Sequence, residues 1–187
     1  MTVGTLYIIP APLHTEGLSS SIIQQYGEVL NSISTFIVED LRSARRFLSK
    51  LKLEKTIDEL EFLPLNEHTK EMETSHYLDN ALEGGSIGLL SEAGYPVIAD
   101  PGSKLILRAH EKGITVKPLV GPSSILLALV SSGFIGQQFS FHGYLPKDKK
   151  ERINKIRQLE NKSNKAGVTQ LFIETPYRNN KLMEELI

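Results

Sequence analysis

Five short apolar runs divide the first 120 residues, and stretches of helical character separate most of them. An apolar run of about four to eight residues between turn residues is typical of a buried strand. Strands that alternate with helices predict βαβ units, and therefore a parallel five-stranded sheet with right-handed crossovers and helices on both faces. The predicted strands are Thr5–Ile9, Thr35–Val38, Phe62–Leu65, Ser86–Leu90 and Ile114–Leu119. The predicted helices are 19–30, one following Asp40, 69–82 and 103–112.

The rest of the chain has a different pattern. Ile125–Val130 is continuously apolar, which predicts a buried helix. Phe139–Tyr144 alternates apolar and polar residues, which predicts a strand of a separate, partly exposed sheet. A basic helix at 147–160, a strand at 167–173 and a helix from Asn179 are predicted to follow.

Two α/β domains follow from this pattern, an N-terminal one of residues 1–119 and a C-terminal mixed one of residues 120–187. A C-terminal domain with so few strands would be thin and would leave sheet edges unpaired. We therefore expect that domain to be incomplete in this chain.

A long strand-to-helix loop follows the fourth predicted strand and reads SEAGYPVIADPG over Ser91–Gly102. Gly94 and Gly102 can adopt positive φ and let a ligand approach the backbone, while Pro96 and Pro101 stiffen the loop. Ligands of open parallel sheets bind outside the carboxyl ends of the strands. The loop therefore predicts a binding site, with a well-ordered turn as the alternative.

Composition narrows the classes of function. The 187 residues include no cysteine, carry a net charge of −1 and contain no apolar run near the ~20 residues that span a bilayer. We therefore expect a cytoplasmic protein with no disulfide, no metal and no membrane partner. The absence of P-loop, GxGxxG, HExxH and GxSxG motifs argues against an NTPase, a standard nicotinamide enzyme, a zinc protease and a serine hydrolase.

The loops that follow the strands supply backbone groups, small hydroxyls and a few acids. Such a set suits a compact ligand that is held mainly by main chain, and a reaction that depends on positioning. The segments concerned are Pro10–Leu13, Glu39–Asp40, Ser91–Gly94, Gly121–Ser124 and Glu174–Arg178.

Six blocks in this order give the chain a family resemblance: TLYIIPAPL, FIVEDLRSARRFL, SEAGYPVIADPG, VKPLVGPSS, FSFHGYLPKDKKER and TQLFIETPYRN. Together they resemble the tetrapyrrole methylase superfamily, and within it the branch of ribosomal RNA ribose 2′-O-methyltransferases that act on a cytidine of the small subunit. The resemblance implies a two-domain homodimer that binds S-adenosylmethionine between its domains, releases S-adenosylhomocysteine and needs no metal.

The resemblance also implies which residues bind the cofactor. They belong to the loops after the first strand, the fourth strand, the fifth strand and the last strand. The residues are Pro10, Pro12 and Leu13, then Ser91, Glu92, Ala93 and Gly94, then Pro122, Ser123 and Ser124, and finally Thr175 and Pro176.

The chain departs from the branch on the expected substrate side. The first loop reads LHTEGLSS where the branch has a Gly-Asn pair, and EDLRSARR lacks a usual threonine. Glu92 stands where an Asp is usual, and Tyr95 where a small residue is usual. These departures bear on the substrate more than on the cofactor.

Three acids are candidates for orienting the acceptor or removing its proton, namely Glu39, Asp40 and Glu174. Each could instead cap a helix or pair with an arginine. The arginines at 42, 45 and 46 could contact phosphates or simply be solvated. The segment Lys147–Lys165 has eight basic and three acidic residues. It could steer RNA, or it could be a solvated helix that turns Ile153, Ile156 and Leu159 toward the core.

These observations favour a methyltransferase that uses S-adenosylmethionine and acts on a ribose hydroxyl of ribosomal RNA. Methylation of a tetrapyrrole precursor or another small molecule is the alternative within enzymes. A module that binds the cofactor or RNA without turnover is the alternative outside them.

Overall fold

The computed structural model describes residues 3–14 and 19–187, with side chains described for 3–14 and 26–187. The chain forms two compact units, Met1–Ser123 and Ser124–Ile187. No helix in the described part is both long and apolar enough to cross a membrane.

The first unit contains a five-stranded parallel sheet, as predicted. Its strands stand in the order β3-β2-β4-β1-β5, so that β4 lies at the centre, between β2 and β1. Four of the five strands lie within the predicted ranges, and β3 begins one residue early. The strands are β1 Thr5–Ile9, β2 Thr35–Val38, β3 Glu61–Pro64, β4 Ser86–Leu90 and β5 Thr115–Pro118.

Helices cover both faces of this sheet. The principal ones are α1 Ser19–Ser32, α2 Leu41–Lys50 and α4 Ser103–Glu111. Successive residues of a strand point to opposite faces. Phe36 therefore packs in one core cluster with Leu48 of α2, and Ile37 packs in the other with Leu105 of α4.

The helix predicted at 69–82 is wrong. The structure has a 3₁₀ turn at Glu71–Thr74 and one short helix, α3, at Asp79–Leu82. The Thr74 hydroxyl donates to the carbonyl of Glu71 at 2.8 Å, a local bond that competes with helix formation. Tyr77 turns inward, and its hydroxyl donates to the Pro64 carbonyl at 2.5 Å. Tertiary contacts thus override the helical pattern of this acidic segment.

The second unit has a separate two-stranded sheet, as predicted. Its strands, β6 Phe139–Tyr144 and β7 Thr169–Ile173, are parallel, and their register shifts between Phe141 and Tyr144. The helix α6 runs over Lys149–Ala166, from an Asp148 cap to Gly167 in the left-handed conformation. The last helix, α7, spans Asn179–Leu186.

The helix α5, Ser124–Ser132, does not have the burial that its apolar sequence predicts. Leu129 is its only buried residue, while Leu127 is 52% exposed and Val130 is 77% exposed. The small core of this unit is instead built from Leu145, Leu159 and Leu182.

Candidate active site

The loops that follow β1 and β4 are joined to each other. The Ala11 N–H donates to the Gly94 carbonyl at 2.8 Å, and the Gly94 N–H donates to the Ala11 carbonyl at 3.0 Å. The buried Ser91 hydroxyl donates to the same Gly94 carbonyl at 3.3 Å. Two of the predicted cofactor loops, Pro10–Leu13 and Ser91–Gly94, therefore lie side by side at the carboxyl edge of the sheet.

The segment that follows β5 is held by two tyrosine hydroxyls. The Tyr95 hydroxyl donates to the Leu119 carbonyl at 3.0 Å and accepts from the Gly121 N–H at 2.7 Å. The Tyr26 hydroxyl donates to the Val120 carbonyl at 3.1 Å and accepts from the Val120 N–H at 2.7 Å. We call these two residues the tyrosine clamp. Tyr95, one of the departures from the family pattern, thus has a structural role, since it holds the segment that follows β5.

Close packing brings this third segment against the first loop. A Cβ atom added at Gly121 would lie 2.2 Å from the Cγ atom of Pro10, so only glycine fits there. A Cβ atom added at Gly94 would lie 3.5 Å from the Leu13 side chain and 3.8 Å from the Pro122 carbonyl oxygen. Three of the predicted cofactor segments therefore converge within the first unit.

The backbone of the Ser91–Gly102 loop is strained. Gly94 has φ +70° and Gly102 has φ +132°, as their predicted roles require. Val97 has φ +76° and Ala99 has φ +66°, which the sequence does not reveal. Positive φ at a β-branched residue is a rare and costly conformation that often marks functional sites.

A cavity of about 210 Å³ opens between the first two loops and α2. Its wall is mostly apolar, with polar groups from Ser43, Ser91 and Glu92 and basic groups from His14, Arg46 and Lys50. The apolar residues are Ala11, Pro12, Leu13, Ala44, Phe47, Leu90 and Ala93. In α2, sequence reasoning considered Arg46 as a phosphate contact but did not include Ser43, Phe47 or Lys50. The signal was available, since α2 starts at the carboxyl end of β2, a neighbour of β4.

Glu39 directly follows β2 and is half-buried. Burial and the nearby Asp100 raise the pKa of Glu39, although an N–H bond from the Glu92 backbone works in the opposite direction. Burial and Glu92 likewise raise the pKa of Asp100, an acid that the sequence prediction did not include. The side chain of Glu92 is exposed and accepts a hydrogen bond from the Ser43 hydroxyl at 2.9 Å.

Asp40 has a structural role. Its carboxylate caps α2 by accepting from the Ser43 N–H at 2.7 Å, and this bond lowers the pKa of Asp40. The alternative considered for each acid, that it caps a helix, therefore describes the observed position of Asp40.

Glu174 lies in the second unit and is paired with an arginine. Burial alone raises the pKa of Glu174, but hydrogen bonds from the Thr175 N–H and the Arg178 guanidinium outweigh it and hold the pKa below its ordinary value. The Thr175 N–H and the Arg178 Nε each lie 2.8 Å from its Oε1. The exposed Pro176 begins a 3₁₀ turn.

The two serines of the third segment fall on either side of the division between the units. Ser123 is the last residue of the first unit, and Ser124 opens α5 in the second. The structure therefore brings together the predicted residues up to Pro122, and separately those of 174–178.

The basic segment Lys147–Lys165 contains one arginine that is not on the surface. Arg152 is buried, and its guanidinium donates to the Glu185 carboxylate at 2.6 Å and 2.7 Å. It also donates to the Pro146 and Lys147 carbonyls. The apolar side of α6 packs inward at Leu159, as the alternative to RNA steering predicts.

In the described residues, no group of three His, Asp or Glu side chains is arranged to hold a metal ion. No protein-family model matches the chain.

Curated proteins do match it over nearly its whole length. A ribosomal RNA small subunit methyltransferase I from Vibrio cholerae is 33% identical, over 97% of this chain and 59% of the relative. Proteins of the same name from Halalkalibacterium halodurans and Escherichia coli O157:H7 are each 30% identical, over 98% of this chain and 60% of the relative. The chain thus spans about three-fifths of the length of these relatives. Over that length it is similar to the ribosomal RNA small subunit methyltransferase I proteins.

Proposed function

We propose that the protein is an S-adenosylmethionine-dependent methyltransferase that modifies ribosomal RNA at a ribose 2′-hydroxyl. The observation that carries the proposal is the identity of 30–33% over 97–98% of the chain to relatives that share one name. The convergence of Pro10–Leu13, Ser91–Gly94 and Gly121–Pro122 supports it, since these are the segments that the family resemblance assigns to the cofactor.

The residues of the first unit fit such a cofactor. S-adenosylmethionine supplies an activated methyl group on a positively charged sulfonium. The positive φ of Gly94 lets both of its backbone groups bond to Ala11, which joins the two loops assigned to the cofactor. The exposed carboxylate of Glu92 supplies a negative charge beside the same loop. Ser123, Ser124, Thr175 and Pro176 complete the proposed cofactor set.

Glu39 is the proposed proton acceptor among the three candidate acids. A base acts best when its pKa lies close to the working pH, and the pKa of Glu39 is raised toward it. Asp40 and Glu174 are engaged as a helix cap and an arginine partner, and both have lowered pKa values. Glu39 then takes the acceptor proton while the loops hold the acceptor in line.

A homodimer in the cytoplasm is part of the proposal, and its support is the family resemblance. Methyl transfer to a tetrapyrrole precursor or another small molecule is the second candidate, favoured by the divergent first loop, LHTEGLSS. Binding of cofactor or RNA without turnover is the third.

Calorimetric titration of S-adenosylmethionine into the full-length protein tests the cofactor site. We expect micromolar binding that is lost in Gly94→Trp and Pro122→Trp. Gly113→Trp is the matched control, because Gly113 has nearly the same φ (+72°) but precedes β5, at the other end of the strand. Binding that survives both cleft variants would place the cofactor elsewhere.

Transfer of a labelled methyl group then identifies the acceptor. We expect label in small-subunit ribosomal RNA and its loss in Glu39→Gln. Label in a small-molecule extract alone would favour the second candidate. Cofactor binding without transfer to either would favour a binding module. A folded, full-length dimer that does not bind the cofactor would overturn the methyltransferase proposal.

A further inference from the structure

The helix α2 presents cations to the cavity described above. Its sequence, LRSARRFLSK, contains four basic residues and no acid. Arg45 is directed elsewhere, since it donates to Asp58 at 2.7 Å and its guanidinium lies 5.7 Å from the centre of the Phe62 ring. Arg46 and Lys50 line the cavity, and we call them the α2 cation pair. Four residues apart on a helix, they share one face.

The cavity has opposite charges at its two ends. Ser43, in the first turn of α2, holds the Glu92 carboxylate. Lys50 ends the helix, and seven residues at 1.5 Å each put it about 10 Å farther along the axis. An anionic ligand is therefore repelled from the Glu92 end and attracted to the α2 cation pair.

The size of the cavity limits what can enter it. Its volume of about 210 Å³ is below the ~300–1,000 Å³ that is usual for drug-sized ligands. A single ring or sugar with one charged group fits such a space. The wall between the charged ends is apolar and includes Leu13 and Phe47. Such an apolar surface favours the face of an unstacked base or a sugar, because contact removes that face from water.

We infer that the α2 cation pair binds a phosphodiester group of the RNA acceptor, and that the α2 side of the apolar wall receives the adjoining base or sugar, beside the loops assigned to the cofactor. This inference rests on the proposed function and identifies where the substrate lies within that site. It assigns phosphate binding to Arg46, one of the three arginines considered from the sequence, together with Lys50, rather than to Lys147–Lys165.

The test is RNA binding measured without cofactor, as a function of salt. The probe is small-subunit ribosomal RNA transcribed in vitro. Each phosphate contact contributes about 0.7–0.9 to the slope of log K against log salt. We expect the double variant Arg46→Gln/Lys50→Gln to lower that slope by about one to two units and to weaken RNA binding at least about tenfold. The conservative variant Arg46→Lys should retain most of the binding.

Arg42→Gln is the matched control, since it removes the same charge from the same helix at a residue that does not line the cavity. We expect it to leave the slope nearly unchanged. Equal losses in Arg42→Gln and in Arg46→Gln would overturn the inference, because general attraction to α2 would then explain the binding. The affinity for S-adenosylmethionine should stay within about twofold in the double variant. A large loss of that affinity would assign the cavity to the cofactor and also overturn the inference.

A final competition experiment distinguishes a phosphate ligand from a carboxylate ligand. A porphyrin tetracarboxylate should not displace RNA from the wild-type protein at concentrations where an unlabelled RNA competitor does. Displacement that depends on Arg46 would overturn the inference in favour of a carboxylate acceptor. Failure of the wild-type protein to bind S-adenosylmethionine would count against the proposed function, while the RNA slopes remain measurable and test the inference separately.

Discussion

Two carboxyl groups at strand ends, Glu39 after β2 and Glu174 after β7, have opposite environments. Glu39 is half-buried beside Asp100 and Glu92, and its pKa is raised. Glu174 is nearly fully buried beside Arg178, and its pKa is lowered. Both follow an apolar strand and read alike in the sequence. The difference teaches that the partner of an acid, rather than its place after a strand, decides whether it is available for chemistry.

The same contrast extends to how each unit holds its loops. In the first unit, the loops are held by backbone bonds, the tyrosine clamp and strained residues such as Val97. In the second unit, they are held by charge, through Arg152 with Glu185 and Arg178 with Glu174. In the described residues of the second unit, positive φ occurs only at glycine.

The largest expected effect is on the stability of the second unit, which contains the Arg152–Glu185 ion pair. Arg152→Met leaves the Glu185 carboxylate without its guanidinium and two carbonyls without their donor, which is strongly destabilising for a buried group. We expect the thermal midpoint of the second unit to fall by about 10 °C or more. Hydrogen exchange in α6 and α7, followed with temperature, measures it.

Arg157→Met is the control for that variant, because Arg157 lies on the same helix and is exposed. It should change the midpoint by no more than about 2 °C. Equal effects of the two variants would show that charge in α6, rather than the buried pair, stabilises the unit.

The second effect is on the tyrosine clamp. Tyr95→Phe removes the partner of the Gly121 N–H and the Leu119 carbonyl, and we expect a loss of about 1–3 kcal/mol in the stability of the first unit. Cofactor affinity should fall as well, since the clamp precedes Pro122. Chemical denaturation and calorimetry measure the two quantities.

Tyr77→Phe offers a comparison, because the Tyr77 hydroxyl also bonds a backbone carbonyl, that of Pro64, but takes no part in the clamp. It should reduce stability and spare cofactor affinity. A Tyr95→Phe variant that keeps full affinity would contradict the proposed link between clamp and site.

A third effect concerns strain and has the opposite sign. Ala99 is exposed and has φ +66°, so Ala99→Gly removes a steric penalty without loss of packing. We expect a gain of up to about 1 kcal/mol in the stability of the first unit, and a lower methyl-transfer rate if the strain positions the loop. A destabilised variant would show that the loop is not strained.

The smallest expected effect is a difference between the two units in how their stability changes with pH. A raised pKa means that Glu39 favours the folded first unit at low pH, and that this contribution is lost as pH rises through its folded-state pKa. A lowered pKa means that Glu174 favours the folded second unit above the ordinary value of 4.5, and that this contribution is lost as pH falls through its folded-state pKa. Acidification from neutral pH toward and below 4.5 should therefore first strengthen the first unit and then weaken the second.

Hydrogen exchange of each unit at several pH values measures this difference. Glu39→Gln should reduce the gain in the first unit to the part that Asp100 contributes, since the pKa of Asp100 is also raised, and leave the second unit unchanged. A gain of the same size in Glu39→Gln would assign it to Asp100 alone.

Much of the first unit was predictable because short stretches of sequence determine its strands and turns. Buried parallel strands such as Ser86–Leu90 read as short apolar runs, and glycines such as Gly94 mark positive φ. The meeting of the loops followed from the parallel sheet. The predictions failed where contacts between residues distant in the chain determine the structure. Tyr77 turns inward and disrupts the helix predicted at 69–82. The apolar residues of α5, which were predicted to be buried, stay largely exposed.

Within the candidate site, the sequence pointed to the loops but not to the environments of their side chains. The roles of Asp40 as a cap and of Arg178 as the partner of Glu174 depend on geometry that a list of residues does not contain. Asp100 and Lys50 were missed for the same reason, since their importance comes from neighbours that are distant in the chain.

The central position of β4 has a consequence for synthesis on the ribosome. The strands β1 and β2 both pair with β4, and β1 otherwise pairs only with β5. A nascent chain that ends before Ser86 can join β2 to β3 but has no neighbour for β1. The strand β1 leaves the ribosome before β4 and must therefore wait, with both edges open, until most of the unit has been made. Such an exposed apolar strand is what chaperones bind and what aggregates when they are absent.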